Sequence, residues 1–410
     1  MSFSSVSYVN VALQFSNRKI PVGKLALNNH KIYFEYEHDF IKSSLDLSPI
    51  KLPLKVGLQT FDNFLFDGLP GLFYDSLPDG WGRLLLDRSL RYQGILPEQL
   101  SPLDRLIYVG NNGMGALVYE PAIEVEENFR TIDLNHLAAM AQEVLNGEAQ
   151  DVLHELLTLN GSSAGARPKA MIGVDCKREK IIHGVTTIPN EYEAWMVKFA
   201  NSQDGPDAGA IEYVYALMAK QAGLKMTKTH LFTANNHAGY FATKRFDRDG
   251  KNRIHTHSAC GLLHSDFRLP SLDYEDLLAL TNIVTRDFRE VEKMFQLAVF
   301  NVLSHNRDDH AKNFSFLMNK TGEWKLSPAY DITFSTGPQG EQSTMAMGEG
   351  KNPTIEHLLK LGLNAKLKKV KINAVINQTK SALSQWDTLA KDYGVSQVNR
   401  KLIGKYLTTN

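Results

Sequence analysis

Between His305 and Asp331 the sequence gathers the side chains that phosphoryl transfer requires. Transfer from a nucleotide assisted by Mg2+ needs a carboxylate to orient the attacking hydroxyl, oxygen ligands for the metal, and a lysine on the phosphates. In His305-Asn306-Arg307-Asp308-Asp309-His310-Ala311-Lys312-Asn313, Asp308 and Asn313 have the D-x4-N spacing in which the Asp faces the hydroxyl and the Asn holds metal. A second aspartate, Asp331, follows eighteen residues after Asn313, in Pro328-Ala329-Tyr330-Asp331 rather than in a D-F-G. An acidic loop of this kind is often only a solvated turn and helix cap, but the late aspartate shifts the balance toward chemistry. Zinc on His305 and His310 fits less well, because no third ligand stands at short spacing and Asp/Asn oxygen suits Mg2+ better.

These groups need elements to carry them. A helix with an apolar stripe at Phe288, Val291, Phe295, Ala298 and Val302 leads into the polar run. Residues 314–318 and 323–327 read as a hairpin across Asn319-Lys320-Thr321-Gly322, delivering Asp331 beyond the second strand. Lys198 interrupts an apolar strand over 194–200, and Glu212 lies in the first turn of a helix predicted over 210–222 and ended by Gly223. They form a natural lysine–carboxylate pair, although an edge-strand charge and a helix-dipole carboxylate would look the same. Upstream, Asn160-Gly161-Ser162-Ser163-Ala164-Gly165-Ala166-Arg167-Pro168-Lys169 offers small residues that could wrap an anion, or a plain connector. Ser162 and Ser163 are candidate acceptors of the enzyme's own phosphoryl transfer, which would place about −1.5 to −2 charge where phosphates should sit.

The remaining pattern supplies a frame. Residues 8–15 and 31–36 alternate as strands of a small β-rich module, which closes near Asp75-Ser76-Leu77-Pro78-Asp79-Gly80-Trp81-Gly82 and a helix over 83–92. Gly110-Asn111-Asn112-Gly113-Met114-Gly115 lacks the Lys-Ser/Thr ending of a P-loop and reads as a packed turn. Helical spacing over 131–159 precedes strands at 169–174, 180–186, 194–200, 230–233 and 240–246, and from about residue 272 the chain is mostly helical.

Composition narrows the class. The 410 residues exceed what one core usually covers, and Lys+Arg equal Asp+Glu at 45 each, so no global field draws the chain to nucleic acid or an anionic membrane. Two cysteines, Cys176 and Cys260, read as reduced thiols, and no stretch reads as a secretory signal or a membrane span, so the cytoplasm is expected. The run Lys366-Leu367-Lys368-Lys369-Val370-Lys371 could touch a phosphate backbone but reads equally as a solvated helix face.

Four ordered segments resemble the HipA family of serine/threonine kinase toxins. They are Ser162 to Lys169, Lys244-Arg245-Phe246-Asp247-Arg248, Asn306 to Phe314, and Leu326-Ser327-Pro328-Ala329-Tyr330-Asp331. Leu77 to Gly82 and Gly113-Met114-Gly115-Ala116 are similar to that family's N-terminal segment. The resemblance implies an α+β fold, bilobed and protein-kinase-like: an N-terminal β-rich subdomain (1–110), a mixed α/β N-lobe with the Ser/Gly-rich loop (111–247) and a helical C-lobe (248–410). It implies Asp308 as catalytic base, Lys198 paired with Glu212, and Asn313 and Asp331 as Mg2+ ligands. ATP would meet Ser162, Ser163, Ala164, Gly165, Lys198, His310 and Lys312, with Lys244 to Phe246 as the adenine hinge and Asp247 toward the ribose. Ser162, or Ser163 beside it, would be autophosphorylated. Arg167-Pro168 stands where some relatives carry Gln-Glu. The implied partners are a small helix-turn-helix antitoxin, operator DNA through that antitoxin, and a protein substrate in translation such as an aminoacyl-tRNA synthetase. A catalytically idle corepressor and a small-molecule kinase are the competing expectations.

Overall fold

The computed structural model describes residues 4–61, 64–123, 131–147, 151–160, 165–184, 188–201 and 204–408. Its first sheet is antiparallel and runs, edge to edge, Gln59–Thr60, Lys31–Tyr36, Lys19–Asn28, Tyr8–Gln14 and Leu117–Glu120. Ile32, Phe34 and Tyr36 alternate into its core, as a pleated strand with one wet face requires. Asn29 and His30 both take positive φ between the second and third strands in sequence, the conformation that a tight hairpin turn demands. Because Leu117–Glu120 pairs with Tyr8–Gln14, the N-terminal subdomain reaches past the expected boundary at 110 by way of the glycine turn.

A second antiparallel sheet orders Ile181–His183, Lys169–Asp175, Tyr192–Lys198, Tyr240–Lys244 and Thr229–Phe232. The period of two sorts its side chains. Ala170, Ile172, Trp195 and Val197 enter a core with the helices Leu134–Asn146 and Asp151–Asn160, while Lys169, Met196 and Lys198 face a cleft. Trp81 and Leu85, from the helix Gly80–Tyr92, join this second core rather than the first. An element assigned by sequence to the N-terminal module thus also braces the N-lobe.

The C-lobe packs Tyr274–Thr285 and Phe288–Leu303 against Ile355–Asn364 and Lys369–Leu383, followed by Trp386–Asp392 and Gln397–Thr408. Val291, Phe295, Ala298 and Val302 are buried as their spacing predicts, but Phe288 is 44% exposed. It is the first residue after the N-cap Asp287, one turn before the helix meets its neighbours. The helix Ala208–Gln221 is held between lobes: Tyr215 sits 5.7 Å from Trp386, Tyr213 lies 4.9 Å from Tyr393, and the Tyr215 hydroxyl donates to Ser304 O at 2.8 Å. Gly223 ends it at φ +88, with Gly223 N–H on Lys220 O and Leu224 N–H on Ala219 O, a left-handed cap open to glycine without steric cost. Among the described residues no helix is long and apolar enough to cross a membrane.

The N-terminal subdomain is tied to the C-lobe by a largely buried polar seam. Asp75 accepts from Ser258 N–H and Oγ and meets His257 Nδ1 at 2.6 Å, while His257 Nε2 lies 3.0 Å from Ser48 Oγ. The order Ser48–His257–Asp75 has the reach of a hydrolase triad, but Ser48 and His257 are wholly buried. No substrate can approach them.

Candidate active site

A cleft of about 600 Å3 opens between the second sheet, the Ser315–Met318/Trp324–Leu326 hairpin and the N-terminal subdomain, within the size range of small-molecule sites. Lys198, the last residue of its strand, reaches Glu212 Oε1 at 2.6 Å and also donates to Asp331 Oδ1. Glu212 is buried, and its second oxygen takes Arg167 at 3.4 Å; Arg167 in turn pairs with Asp204 at 3.0 Å. Burial works against both charges of the Lys198–Asp331 pair, yet mutual attraction prevails. Lys198 is raised by Asp331 and Glu212, and Asp331 is held well below the usual carboxylate range by Lys198, then Lys169 and Arg167.

The hairpin is set by Asn319, whose Oδ1 accepts from Thr321 N–H and Glu323 N–H, and by Gly322 at φ +82. Beyond it Asp331 sits at φ +54, a left-handed position that aspartate tolerates better than most residues and that often accompanies function. Asp308 lines the same cleft. Desolvation by the cleft walls raises its carboxyl above the ordinary range; His310 opposes the rise and Asp331 adds to it. Asn313 Nδ2 donates to Asp308 O at 2.6 Å, so the amide nitrogen is engaged and the carbonyl oxygen is left for a cation.

The neighbouring Asp309 is a buried hub. It takes the Tyr274 hydroxyl and the N–H groups of Ser343 and Thr344, while Asn301 donates to Tyr274 and Asn306 to Asn301. Burial pushes Asp309 up to about 7. The carboxylate pair of the motif therefore divides its work: one side chain faces the cleft, and the other anchors the loop to two helices.

The other expected contacts separate into three groups. Gly165, Lys244, Phe246, His310 and Lys312 line the cleft. Of these, Lys244 is paired with Glu193 at 2.7 Å, Phe246 lies 5.3 Å from Tyr330, and His310 lies 5.5 Å from Phe267. Lys312 is engaged by Asp79 at 2.5 Å rather than left for an incoming phosphate. Asp247 stands apart from this group. It is completely buried away from the cleft, with both oxygens bound by Arg245, Arg248 and Gly115 N–H; these donors, and those of Arg253 on the Gly113 and Gly115 carbonyls, make it a clamp on the glycine turn. Ser162, Ser163 and Ala164 lie outside the described residues. His305 stacks on Phe334 and lies tilted against Tyr406 while His310 lies by Phe267, so the two histidines of the zinc alternative occupy different aromatic settings.

Several lining residues were not visible as functional in the sequence. Met196, Met226, Phe241 and Ile332 supply apolar wall, and only the alternation along 194–198 hints that Met196 shares a face with Lys198. Lys169, which ends the loop read in the sequence as able to wrap an anion, is buried opposite Lys198 in the sheet register. Burial, followed by the Lys198 charge, brings its ammonium down to about 8.

A five-stranded lobe with a buried lysine–glutamate pair, set over a helical lobe bearing D-x4-N and a late aspartate, is a bilobed protein-kinase-like fold. Family models agree with it: the HipA N-terminal domain matches residues 13–120, and the HipA-like C-terminal domain matches residues 161–386, more than half of the chain. The chain belongs to the HipA family. The structure superposes on HipA of Shewanella oneidensis MR-1, solved with HipB and operator DNA, at a TM-score of 0.68 over 97% of this chain and 95% of that one, with 16% identity. A curated relative, "Putative kinase Y4mE" of Sinorhizobium fredii, is 29% identical over 155 residues. That match spans 34% of this chain and about a third, 36%, of the relative's length.

Proposed function

We propose that this chain is an ATP- and Mg2+-dependent protein serine/threonine kinase acting as a growth-arresting toxin. The observation that carries the reading is the Lys198–Glu212–Asp331 constellation facing Asp308 and Asn313 across one cleft. The donors fit the metal: a carboxylate and an amide oxygen suit a hard cation that keeps part of its water shell, and Asn313 has its nitrogen already spent on Asp308 O. Asn313 and Asp331 would hold Mg2+, which when bound neutralises charge on the nucleotide phosphates.

The chain's own groups do the rest. Glu212 fixes the Lys198 ammonium on the phosphates, so that ATP takes over the partner that Asp331 now provides. Asp308 orients the substrate hydroxyl and accepts its proton, and its raised carboxyl brings its basicity nearer to neutral pH. Met196, Met226 and Ile332 give the adenine an apolar wall beside the Lys244 to Phe246 hinge.

The Shewanella relative is bound to HipB and operator DNA. On that likeness we assign this chain a small helix-turn-helix antitoxin, through which it reaches its operator. We further assign it a cytoplasmic location, a substrate in the translation machinery, and self-inactivation at Ser162 or Ser163.

The test is ATP turnover and phosphoproteomics of cells expressing wild type or Asp308→Ala. Turnover should fall about 10²- to 10⁴-fold in the variant, and new phosphoserine or phosphothreonine should appear only with wild type. Undiminished turnover, or phosphate found on metabolites alone, would overturn the reading.

A further inference from the structure

Asp79 takes no part in the steps above, yet it stands where the three subdomains meet. It is the N-cap residue of the helix Gly80–Tyr92, but its carboxylate makes no capping bond in that helix. Instead its two oxygens go to different lobes. Oδ1 accepts the Gly165 N–H, and Oδ2 lies 2.5 Å from Lys312 Nζ. Lys312 is buried against two rings, 4.4 Å from Phe267 and 4.8 Å from Tyr74, so its ammonium is held in place independently of any nucleotide.

The backbone reinforces the link. Trp81 N–H donates to Gly165 O at 3.0 Å. Gly80 sits at φ +43, and a Cβ there would fall 2.5 Å from the Gly165 carbonyl oxygen, so no larger residue permits the approach. Gly165 itself sits at φ +105, a conformation that residues with a Cβ rarely adopt, and Lys169 Nζ stands 2.5 Å from where its Cβ would fall. Fixing Gly165 therefore fixes the turn that leads to Lys169, whose ammonium shares the cleft with Lys198.

We propose that Asp79 is a positioning residue: an inter-subdomain strap that sets Gly165 and Lys169 against the nucleotide phosphates, with Lys312 acting through Asp79 rather than on the phosphates. A charged strap is the stronger kind of hydrogen bond, and it makes the N-terminal subdomain part of the nucleotide site. The phosphates in this statement rest on the kinase reading; the strap itself does not.

The experiment uses the full chain as wild type, Asp79→Ala, Lys312→Ala and the double variant. Amide exchange without nucleotide should rise about ten- to a hundredfold at Gly165 and Trp81 in Asp79→Ala while the C-lobe helices stay protected. The Kd for Mg2+ and AMP-PNP should rise about tenfold in each single variant and no further in the double, with kcat at saturating ATP within about twofold of wild type. Unchanged exchange at Gly165 overturns the strap. A double variant that loses the product of the single effects places Lys312 on the phosphates and overturns it too. Wild type that fails to bind AMP-PNP removes the kinase reading, and the exchange arm then decides the strap alone. Should Asp79→Ala not fold, Asp79→Asn keeps an acceptor for Gly165 without the charge for Lys312 and carries the same comparison.

Discussion

Asp331 and Asp247 are both aspartates among cations, and both are held below the usual carboxylate range against the cost of burial, Asp331 chiefly by Lys198 and Asp247 chiefly by Arg245 and Arg248. They differ in what is left over. The Asp247 side chain has no exposure, and its oxygens take two bonds from Arg245, one from Arg248 and one from Gly115. The Asp331 side chain keeps 38% of its surface open to the cleft, with Lys198 as its bonded cation. Density of charge does not separate chemistry from support. Saturation does: a carboxylate whose donors are all protein groups holds the fold, and one that solvent can still reach can exchange its partner for a ligand.

The largest test of that contrast is Asp331→Ala, expected to cost about 10²- to 10³-fold in phosphoryl transfer while leaving the melting temperature near that of wild type. An Asp331→Ala protein that unfolds instead would make the two aspartates equivalent. Asp247→Ala should do the reverse, destabilising by about 3–5 kcal/mol because two buried arginines lose their counter-charge; chemical denaturation reads this directly, and a near-neutral result would break the comparison. Asp309 sharpens it with pH. Burial raises this group to about 7, so the folded state keeps a proton that an ordinary aspartate, at about 3.9, releases. Its contribution to stability is complete below about pH 4, declines as pH rises toward about 7 and then levels, a loss on the order of 2–4 kcal/mol. Asp309→Asn, whose amide imitates the protonated carboxyl toward Tyr274, should flatten that slope in denaturation curves taken from pH 4 to 8. The smallest effect belongs to Phe288→Ser, at under about 0.5 kcal/mol, since that ring lies at the exposed start of its helix.

What the sequence made legible was local. The Lys198 strand, the Glu212 helix with its Gly223 cap, and the hairpin before Asp331 are each written in a periodicity or a turn signal, and the structure forms all three. The buried setting of Asp247 was not legible, because a short acidic-basic run looks the same whether it faces a ligand or closes on itself. Its partners Gly115 and Arg253 stand in other segments of the chain. The Asp79 strap was invisible for the same reason. Leu77 to Gly82 reads as the close of a module and the opening of a helix, and nothing within that segment names Gly165 or Lys312 as the surfaces it meets. Phe288 illustrates a different limit: the helical period identifies a face, not the residue at which neighbours begin to cover it.

Kinases with this division of lobes commonly control the lysine–glutamate pair by swinging the glutamate's helix. Here such a swing would have to part the edge-to-face rings of Tyr215 and Trp386, pull Asp207 from Ser396 N–H and Asn399, and break the Gln378 bond to Gln221 O. The C-terminal helices thus act as a wedge behind the helix that carries Glu212, so its position is tied to the packing of the C-lobe.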